Sequence, residues 1–349
     1  MSPAQAPIFV IGTGRSGTTL LRFMLSAHPR IYISHEASFY VVEQLFPRRA
    51  PRRDFLDYYF RTPSFRWLRV DPARVVAGLP DPLPRERVPD AYAAVMREKA
   101  AQYGRVRYGD KTPSHAAHLG RIFRDFPGAR VVHIVRDPRG TVQSLTRMPW
   151  ASGSLAVNAL FCEIERRQVA RYRDRVLQIR LEDLLADPRA TMGRVLDHVG
   201  EPWDDAVLDH ARHLPDPNDM PPYPWLQSAA GDRVAPAAAF AGLSPLEVRA
   251  IERTTRRIMV EFGYAPAELA DEPSALAVWW ERMRGIPALV RCLRSFARLA
   301  RYGRDANNLD SPRMKALWRE VNPGAWSRYP GFEIPDPPPL AGRALPAAA

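Results

Sequence analysis

The sequence predicts an α/β protein built on a doubly wound parallel sheet that carries a phosphate-binding loop (P-loop), flanked by helices, with a helical insertion and a helical C-terminal extension. Two observations predict this fold class. Short apolar runs of strand length alternate with segments of helical spacing from residue 7 to residue 199. The run at 130–136 is almost continuously apolar, which is typical of parallel strands covered by helices on both faces.

Local signals place the individual elements. The strand at 7–11 ends in a glycine-rich turn, and apolar residues then recur at helical spacing over 18–27. Pro138 stands where proline is favoured, in the first turn of the helix that opens after residue 137. The other expected elements are strands at 106–109, 130–136 and 176–179 and helices at 114–126, 156–173, 188–199 and 243–262. Right-handed crossovers would connect the parallel strands.

Composition divides the chain into a main α/β domain and a C-terminal part. The main domain is expected over 1–270, with an irregular or helical insertion at about 46–104. Aromatic residues concentrate in the insertion and would form either an acceptor pocket or a local core: Phe55, Tyr58, Tyr59, Phe60, Phe65 and Trp67. Residues 271–333 are predicted to be a helical extension. The Pro/Ala-rich residues 334–349 are expected to be disordered.

The bulk composition is that of an ordinary soluble protein, with 46% hydrophobic and 25% charged residues among 349. No apolar run approaches the ~20 residues of a transmembrane helix. The first residues lack the basic and apolar regions of a signal peptide, so a cytoplasmic location is expected. Cys162 and Cys292 stand alone in helical patterns, as small buried residues would, although a thiol nucleophile is the alternative.

The net charge is +12 and only three residues are lysines. This balance fits anionic ligands, nucleic acid or an anionic membrane surface, or reflects a compositional bias. Within 289–304, apolar residues mark one helix face and arginines the other. We expect this helix to pack on the main domain with its arginines in solvent. Contact with a membrane surface is the alternative. The sequence does not predict the oligomeric state.

The turn Gly12-Thr13-Gly14-Arg15-Ser16-Gly17-Thr18-Thr19 follows the first strand and opens a helix. Such a turn directs backbone N–H groups at one point, where an anion binds. Gly12 and Gly17 have the spacing of an NTPase phosphate loop, but Thr18 replaces the lysine that reaches the β- and γ-phosphates. Arg15 supplies a different cation. The loop therefore predicts a group-transfer enzyme with a phosphorylated donor.

A second anion site is indicated by Arg136 and Ser144. Arg136 ends the apolar strand, where α/β enzymes place ligand contacts. Ser144 lies about two turns into the helix that follows. Together with the loop, this pair predicts a donor that has two separated anionic groups.

These two segments carry a family resemblance. Residues 9–19, FVIGTGRSGTT, resemble the 5′-phosphosulfate loop of sulfotransferases that use 3′-phosphoadenosine 5′-phosphosulfate (PAPS). Residues 132–144, VHIVRDPRGTVQS, resemble their 3′-phosphate motif, in the family's order and at a similar separation. RSGTTLLRFMLSAHP and the later LEDLLADP are most similar to the bacterial and tyrosylprotein-type branch. The resemblance covers roughly residues 7–205.

The resemblance implies a role for each matching residue. The 5′-phosphosulfate would be held by Arg15, Ser16, Gly17, Thr18 and Thr19. Arg136 and Ser144 would hold the 3′-phosphate, and Glu36 matches the general base of the tyrosylprotein-type enzymes. PAPS would be the co-substrate, adenosine 3′,5′-bisphosphate the product, and no metal would be needed. The chain lacks the RKG triplet of the small-molecule enzymes, for which Gly231-Asp232-Arg233 is a weak substitute.

Sulfuryl transfer to a hydroxyl or amine needs a base, a positioned nucleophile and a cation for the departing phosphate oxygen. Glu36 is the candidate base, with His35 and His115 as competitors, although an acidic residue also suits a helix's first turn. Arg15 and Lys111 are the candidate cations. Lys111 follows a predicted strand, and its alternative role is a surface ion pair.

Two other classes of function compete with sulfuryl transfer. A degenerate P-loop kinase or NTPase would need Mg²⁺ and a strand-end carboxylate, such as Asp110 or Asp137. A protein that binds nucleic acid or another anionic surface would use the +12 charge. The histidine pairs at 115/118 and 210/213 lack the ligands that complete a metal site. The acceptor stays open among small molecules, carbohydrates, lipids and peptides, and nucleic acid is not favoured as a partner.

Overall fold

A single parallel sheet forms the centre of the protein. The computed structural model describes residues 6–47, 50, 54–216, 219–227 and 240–340. The strands of its sheet are Ile8–Ile11 (β1), Ile31–His35 (β2), Arg107–Lys111 (β3), Arg130–Val135 (β4) and Val176–Arg180 (β5). All are parallel, in the order β2-β3-β1-β4-β5. The chain winds to one side of β1 and then crosses to the other. The predicted fold class is confirmed.

Helices cover the sheet and form the insertion and the C-terminal part. Up to β5 they are Thr18–Ala27 (α1), Phe39–Leu45 (α2), Phe55–Arg61 (α3), Pro63–Arg66 (α4), Pro72–Val76 (α5), Val88–Ala101 (α6), Leu119–Asp125 (α7), Pro138–Thr146 (α8) and Leu155–Val169 (α9). After β5 they are Leu181–Ala186 (α10), Pro188–Val199 (α11), His210–His213 (α12), Pro224–Gln227 (α13), Pro245–Thr254 (α14), Arg256–Phe262 (α15), Ala275–Met283 (α16), Ile286–Tyr302 (α17) and Pro312–Arg319 (α18).

The differences from the sequence prediction have physical causes. The prediction missed β2, because its five residues end in the polar pair Ser34 and His35 and give no long apolar run. It also ended β3 two residues early, before Asp110 and Lys111, whose side chains are buried despite being ionisable. The helix expected at 114–126 divides into a 3₁₀ segment and α7.

Two apolar layers pack against the two faces of the sheet. On one face, β1, β2 and β4 bury aliphatic side chains against α1 and α11. On the other face an aromatic core joins Phe9 and Tyr32 to the insertion helices. The aromatic residues Phe55, Tyr59 and Phe65 are buried in that core. Of the two roles considered for them, the structure shows the local core.

The C-terminal part lies against the main domain. Helix α17 buries Cys292 and Ser295, and its arginines lie in solvent as expected, but much of its apolar face is exposed as well. In the described part of the chain, no helix has both the length and the hydropathy that a membrane crossing requires. Residues 334–340, within the tail expected to be disordered, have no helix or strand, and Arg66 donates to the carbonyls of Pro337 and Pro338. Residues 341–349 and Gly231-Asp232-Arg233 lie outside the described residues.

Candidate active site

The predicted site residues lie along the carboxyl edge of the sheet. The loop at 12–17 leaves the end of β1, Glu36 follows β2, Lys111 ends β3 and Arg136 follows β4. Register brings them side by side, because Lys111 pairs with both Val10 and His35. The chain reverses its winding direction at β1, and open α/β sheets bind ligands at such a switch point.

Close packing around the loop explains its glycines. Gly12 has φ 150°, and a Cβ there would lie 2.4 Å from the carbonyl oxygen of Ile134. Gly17 has φ 99°, in the region that favours glycine. A Cβ on Gly14 would lie 2.3 Å from Cη2 of Trp150, so that indole ring lies directly against the loop. The loop is therefore shaped by what surrounds it as much as by its own sequence.

The start of α1 offers backbone donors to an anion. The first N–H groups of a helix have no acceptor within the helix, and the helix dipole makes this end positive. No acidic residue occupies the first turn of α1 and no side chain caps it. No side chain of the helix therefore competes with a ligand for the N–H groups of Thr18 and Thr19. The Ser16 hydroxyl donates to the carbonyl of Ile134 at 3.0 Å, and its N–H donates to Thr13. Ser16 therefore holds the loop in place.

Arg15 is the centre of a contact network that unites three predicted residues. Its backbone has φ 72°, which is uncommon outside glycine and turns the side chain across the site. Its Nε donates to the hydroxyl of Ser144 at 3.1 Å, and its Nη1 donates to the carbonyl of Trp225 at 2.9 Å. Arg136 in turn donates to the carbonyl of Arg15 at 3.3 Å.

The two guanidinium groups create a site for negative charge. Burial, followed by the charge of Arg136, lowers the pKa of Arg15. Neither arginine forms an ion pair with a carboxylate among the described residues. Neighbouring cations without a counter-ion attract an anion, and arginine suits phosphate because it donates two parallel hydrogen bonds.

Glu36 and Lys111 form an ion pair with one buried and one open member. Lys111 Nζ lies 2.6 Å from Glu36 Oε1. The Lys111 side chain is 1% exposed and that of Glu36 is 40% exposed. Glu36 directly follows β2, so it does not stand in a helix's first turn, and Lys111 is not a surface lysine. Burial lowers the pKa of Lys111, although the Glu36 carboxylate opposes that shift.

The competing histidines are less suited to accept a proton from an acceptor. His35 is buried, and burial together with the charges of Lys111 and Arg22 lowers its pKa well below the usual value. His115 is fully buried between the rings of Phe9 and Tyr40. Burial lowers its pKa too. A fully buried imidazole has no path to an acceptor in solvent.

The carboxylates that a magnesium-dependent reaction would need have other partners. Asp137 accepts from the N–H and guanidinium of Arg139, which also pairs with Glu252. Asp110 is fully buried and accepts from the N–H of Ala37 and the hydroxyl of Thr112. Within the described ranges no three side chains of metal-ligand type cluster together. Burial raises the pKa of the Cys162 thiol to about 12, so it is a poor nucleophile.

Aromatic residues that the sequence did not single out surround Arg15. Tyr223 stacks on Trp225, with ring centroids 4.9 Å apart. Tyr329 and Phe332, from beyond α18, approach Trp225 to 5.3 and 5.7 Å. Burial and the Glu36 carboxylate raise the pKa of Tyr223 to about 12. No local pattern marks these residues, because they reach the site from segments about a hundred residues apart.

A buried charge cluster anchors the segment that carries Tyr223 and Trp225. Lys99 Nζ lies 2.6 Å from the carboxylate of Asp219, and Arg22 Nη2 lies 3.5 Å from it. Arg22 also donates to the carbonyls of Asp219 and Ile33, which ties the segment to α1 and β2. These contacts place the aromatic residues beside Arg15.

Residues 7–205, more than half of the chain, match the model of the Sulfotransferase family. The chain belongs to the sulfotransferase family. The family resemblance predicted from the sequence is therefore confirmed.

Relatives of this chain include protein-tyrosine sulfotransferases from animals. A protein-tyrosine sulfotransferase of Drosophila melanogaster is 28% identical over 226 residues, which are 61% of this chain and 42% of that protein. Protein-tyrosine sulfotransferase 1 of Danio rerio is 28% identical over 214 residues, 58% of this chain and 55% of that protein. The chain thus spans about half the length of these relatives.

A solved structure shares the fold. The sulfotransferase domain from the Synechococcus PCC 7002 olefin synthase superposes with a TM-score of 0.50 at 22% identity. The match covers 74% of this chain and 95% of that domain. At this identity the likeness shows the fold alone.

Proposed function

We propose that this sulfotransferase transfers a sulfuryl group from PAPS to a hydroxyl or amine of an acceptor. One observation carries the proposal: Arg15 of the phosphate loop contacts both Ser144 and Arg136, so the two predicted anion sites adjoin. A donor with phosphate groups at both ends of one ribose matches two adjoining anion sites. An ordinary NTP has only one chain of phosphates.

The residues fit such a donor. The N–H groups of Gly17, Thr18 and Thr19, together with Arg15, would hold the 5′-phosphosulfate. The free donors of Arg136 and the hydroxyl of Ser144 would hold the 3′-phosphate. The Ser16 side chain already donates to the sheet, so we assign it to shaping the loop. The glycines fit as well, since a Cβ at Gly12 or Gly14 would collide with the loop's surroundings.

Bound PAPS supplies a sulfur joined to a phosphate oxygen, a bond whose cleavage leaves adenosine 3′,5′-bisphosphate. Glu36 takes the proton of the acceptor hydroxyl as that oxygen forms its bond to sulfur. The electron pair of the broken sulfur–oxygen bond stays on the departing phosphate, beside the cationic Arg15. Lys111 holds the Glu36 carboxylate in place through their ion pair. No step requires a metal.

Donor binding is the first test. Isothermal titration calorimetry without metal would compare adenosine 3′,5′-bisphosphate with adenosine 5′-monophosphate. We expect the bisphosphate to bind about 10- to 100-fold more tightly, the contribution of charge-assisted hydrogen bonds to one phosphate. Arg136→Gln and Ser144→Ala should reduce this preference. Arg147→Gln, an exposed arginine at the end of α8, is the matched control and should keep it. Equal affinity for both nucleotides, or binding only of Mg-ATP, would overturn the proposal.

The second test identifies the acceptor with a transfer assay, in which PAPS is the donor and mass spectrometry detects the added sulfuryl group. Peptide tyrosine leads the panel, because two relatives bear the name protein-tyrosine sulfotransferase. Phenols, carbohydrates and hydroxylated lipids complete it. A sulfuryl group added to one class, and lost with Glu36→Gln, would support the proposed roles. Transfer that persists in Glu36→Gln would remove Glu36 from the role of base.

A further inference from the structure

An unusual amount of apolar surface is exposed on two helices of the C-terminal part. Seven large side chains of α16 and α17 are between 41% and 65% exposed: Leu276, Trp279, Trp280, Ile286, Val290, Leu293 and Phe296. We call these seven residues the apolar strip. Exposed apolar residues concentrated on two consecutive helices are typical of an interaction site.

On α17, the residues of the apolar strip lie on the side of the helix that faces away from the rest of the fold. At 100° per residue, Ile286, Val290 and Leu293 form one line along the helix. The buried residues Cys292 and Ser295 lie on the far side and make the contact with the domain. Leu289 and Leu299 are partly buried as well. Ile286, Val290, Leu293 and Phe296 remain exposed and are left for another surface.

A row of cations runs along one edge of the strip. Arg291, Arg294, Arg298 and Arg301 are exposed and recur at intervals of three and four residues, and no acidic residue occurs in 286–304. Within the described chain Arg298 pairs with Glu320, while the other three have no ion pair. We call these four residues the arginine row.

We propose that the apolar strip and the arginine row dock this protein on the surface of a lipid bilayer with anionic headgroups. A helix that lies in the plane of a membrane interface buries its apolar face among the acyl chains and directs basic residues at the headgroups. The indoles of Trp279 and Trp280 suit the interface between the acyl chains and the headgroups, where tryptophan is enriched. Anionic lipids attract each exposed arginine by about 1 kcal/mol, or roughly fivefold in binding.

Charge favours a bilayer over a second copy of this chain. In a symmetric dimer the same face meets itself, so the strip would bring two arginine rows into close proximity. Additional cations lie near α16, where Arg282 donates to Thr254 on the wall of an open groove between α9 and α14–α15. This groove contains further arginines without an ion pair among the described residues: Arg167, Arg173, Arg253, Arg256 and Arg257. These arginines add positive charge next to α16, the helix to which Arg282 belongs.

Vesicle flotation with the full chain tests the proposal. The probes are vesicles of phosphatidylcholine alone and vesicles that also contain phosphatidylglycerol. We expect binding to the anionic vesicles, weakened by salt. Arg291→Gln/Arg294→Gln/Arg301→Gln should weaken it about fivefold per arginine. Leu293→Glu should abolish it, because a charge would enter the apolar region. Val106→Glu is the control: Val106 is 61% exposed, against 53% for Leu293, and directly precedes β3, outside the apolar strip.

The outcomes separate docking from catalysis and from folding defects. Each variant should melt at the wild-type temperature, which shows that it is folded. Each should also bind adenosine 3′,5′-bisphosphate as the wild type does, because α16 and α17 contribute no donor-site residue. Equal binding of Leu293→Glu and Val106→Glu to anionic vesicles would overturn the proposal. A second result would also overturn it: the wild type is a dimer in analytical ultracentrifugation, Leu293→Glu dissociates that dimer, and neither protein binds vesicles. The docking proposal does not rest on the proposed reaction, so failure of one leaves the other intact.

Discussion

Lys111 Nζ lies 2.6 Å from Glu36 Oε1, and the lysine is buried while the carboxylate reaches solvent. The pair joins the ends of two neighbouring strands, since His35 and Lys111 are in register. The buried ammonium of Lys111 holds the open carboxylate of Glu36 at the edge of the sheet. The accessible member of the pair is thus the one that could take a proton from an acceptor.

Glu36→Gln should reduce kcat by about 10²- to 10⁴-fold, because the amide keeps the shape of the side chain but cannot accept a proton. Affinity for adenosine 3′,5′-bisphosphate should not change, and calorimetry checks this. Glu98→Gln, which breaks the exposed ion pair with Arg74, is the matched control and should leave kcat unchanged. Similar rates for both variants would contradict the role of Glu36.

Lys111→Met should reduce kcat by about tenfold or more, because Glu36 loses the cation that orients it. The fold should tolerate the change, since methionine fills the buried space without the desolvation that lowers the pKa of Lys111. Steady-state kinetics and thermal unfolding measure the two effects separately. A variant with full activity would show that Lys111 is only structural. A variant with a much lower melting temperature would show that the ion pair supports the fold.

Gly14→Ala should weaken donor binding, because the new methyl group would lie against the ring of Trp150 and displace the loop. Trp150→Leu in the same chain provides the missing space and should restore part of the affinity. The comparison of the two affinities by calorimetry isolates the steric cause, since neither side chain carries a charge. If the double variant binds no better than Gly14→Ala, the contact with Trp150 does not shape the loop.

Asp110 makes the stability of the fold depend on pH. Burial raises the pKa of its carboxyl from the ordinary value of 3.8 to about 7 in the folded state. Because the folded pKa lies above the unfolded one, the stabilising contribution is complete below about pH 4 and is lost as the pH rises through 7. Asp110→Asn stays neutral at every pH. Relative to the wild type it should gain about 1–4 kcal/mol of unfolding free energy between pH 4 and 8.

Urea unfolding at several pH values measures that difference. The amide introduced by Asp110→Asn would keep an oxygen for the N–H of Ala37, from which Asp110 accepts in the wild type, so one hydrogen bond is retained. A difference in unfolding free energy that does not vary from pH 4 to pH 8 would show that Asp110 does not titrate in this range.

Local patterns were enough to predict the phosphate loop and the elements on either side of it. The apolar run of β1, the glycine spacing and the helical period of α1 are contiguous in the chain, and each depends only on near neighbours. The strand β4 and the helix α8 were predicted for the same reason. Strands that end in polar residues, such as β2, were missed because burial of their side chains depends on distant segments.

The sequence by itself determined the α/β class, the two segments proposed to bind anions and the family, because short-range spacing encodes all three. Only the tertiary structure decided that Glu36 meets Lys111, that Arg15 contacts Ser144 across 129 residues, and that Trp225 and Tyr329 stand beside them. It also decided which face of α17 is exposed. These relationships follow from strand order, register and helix rotation. Such features bring together residues far apart in the chain, so no local pattern contains them.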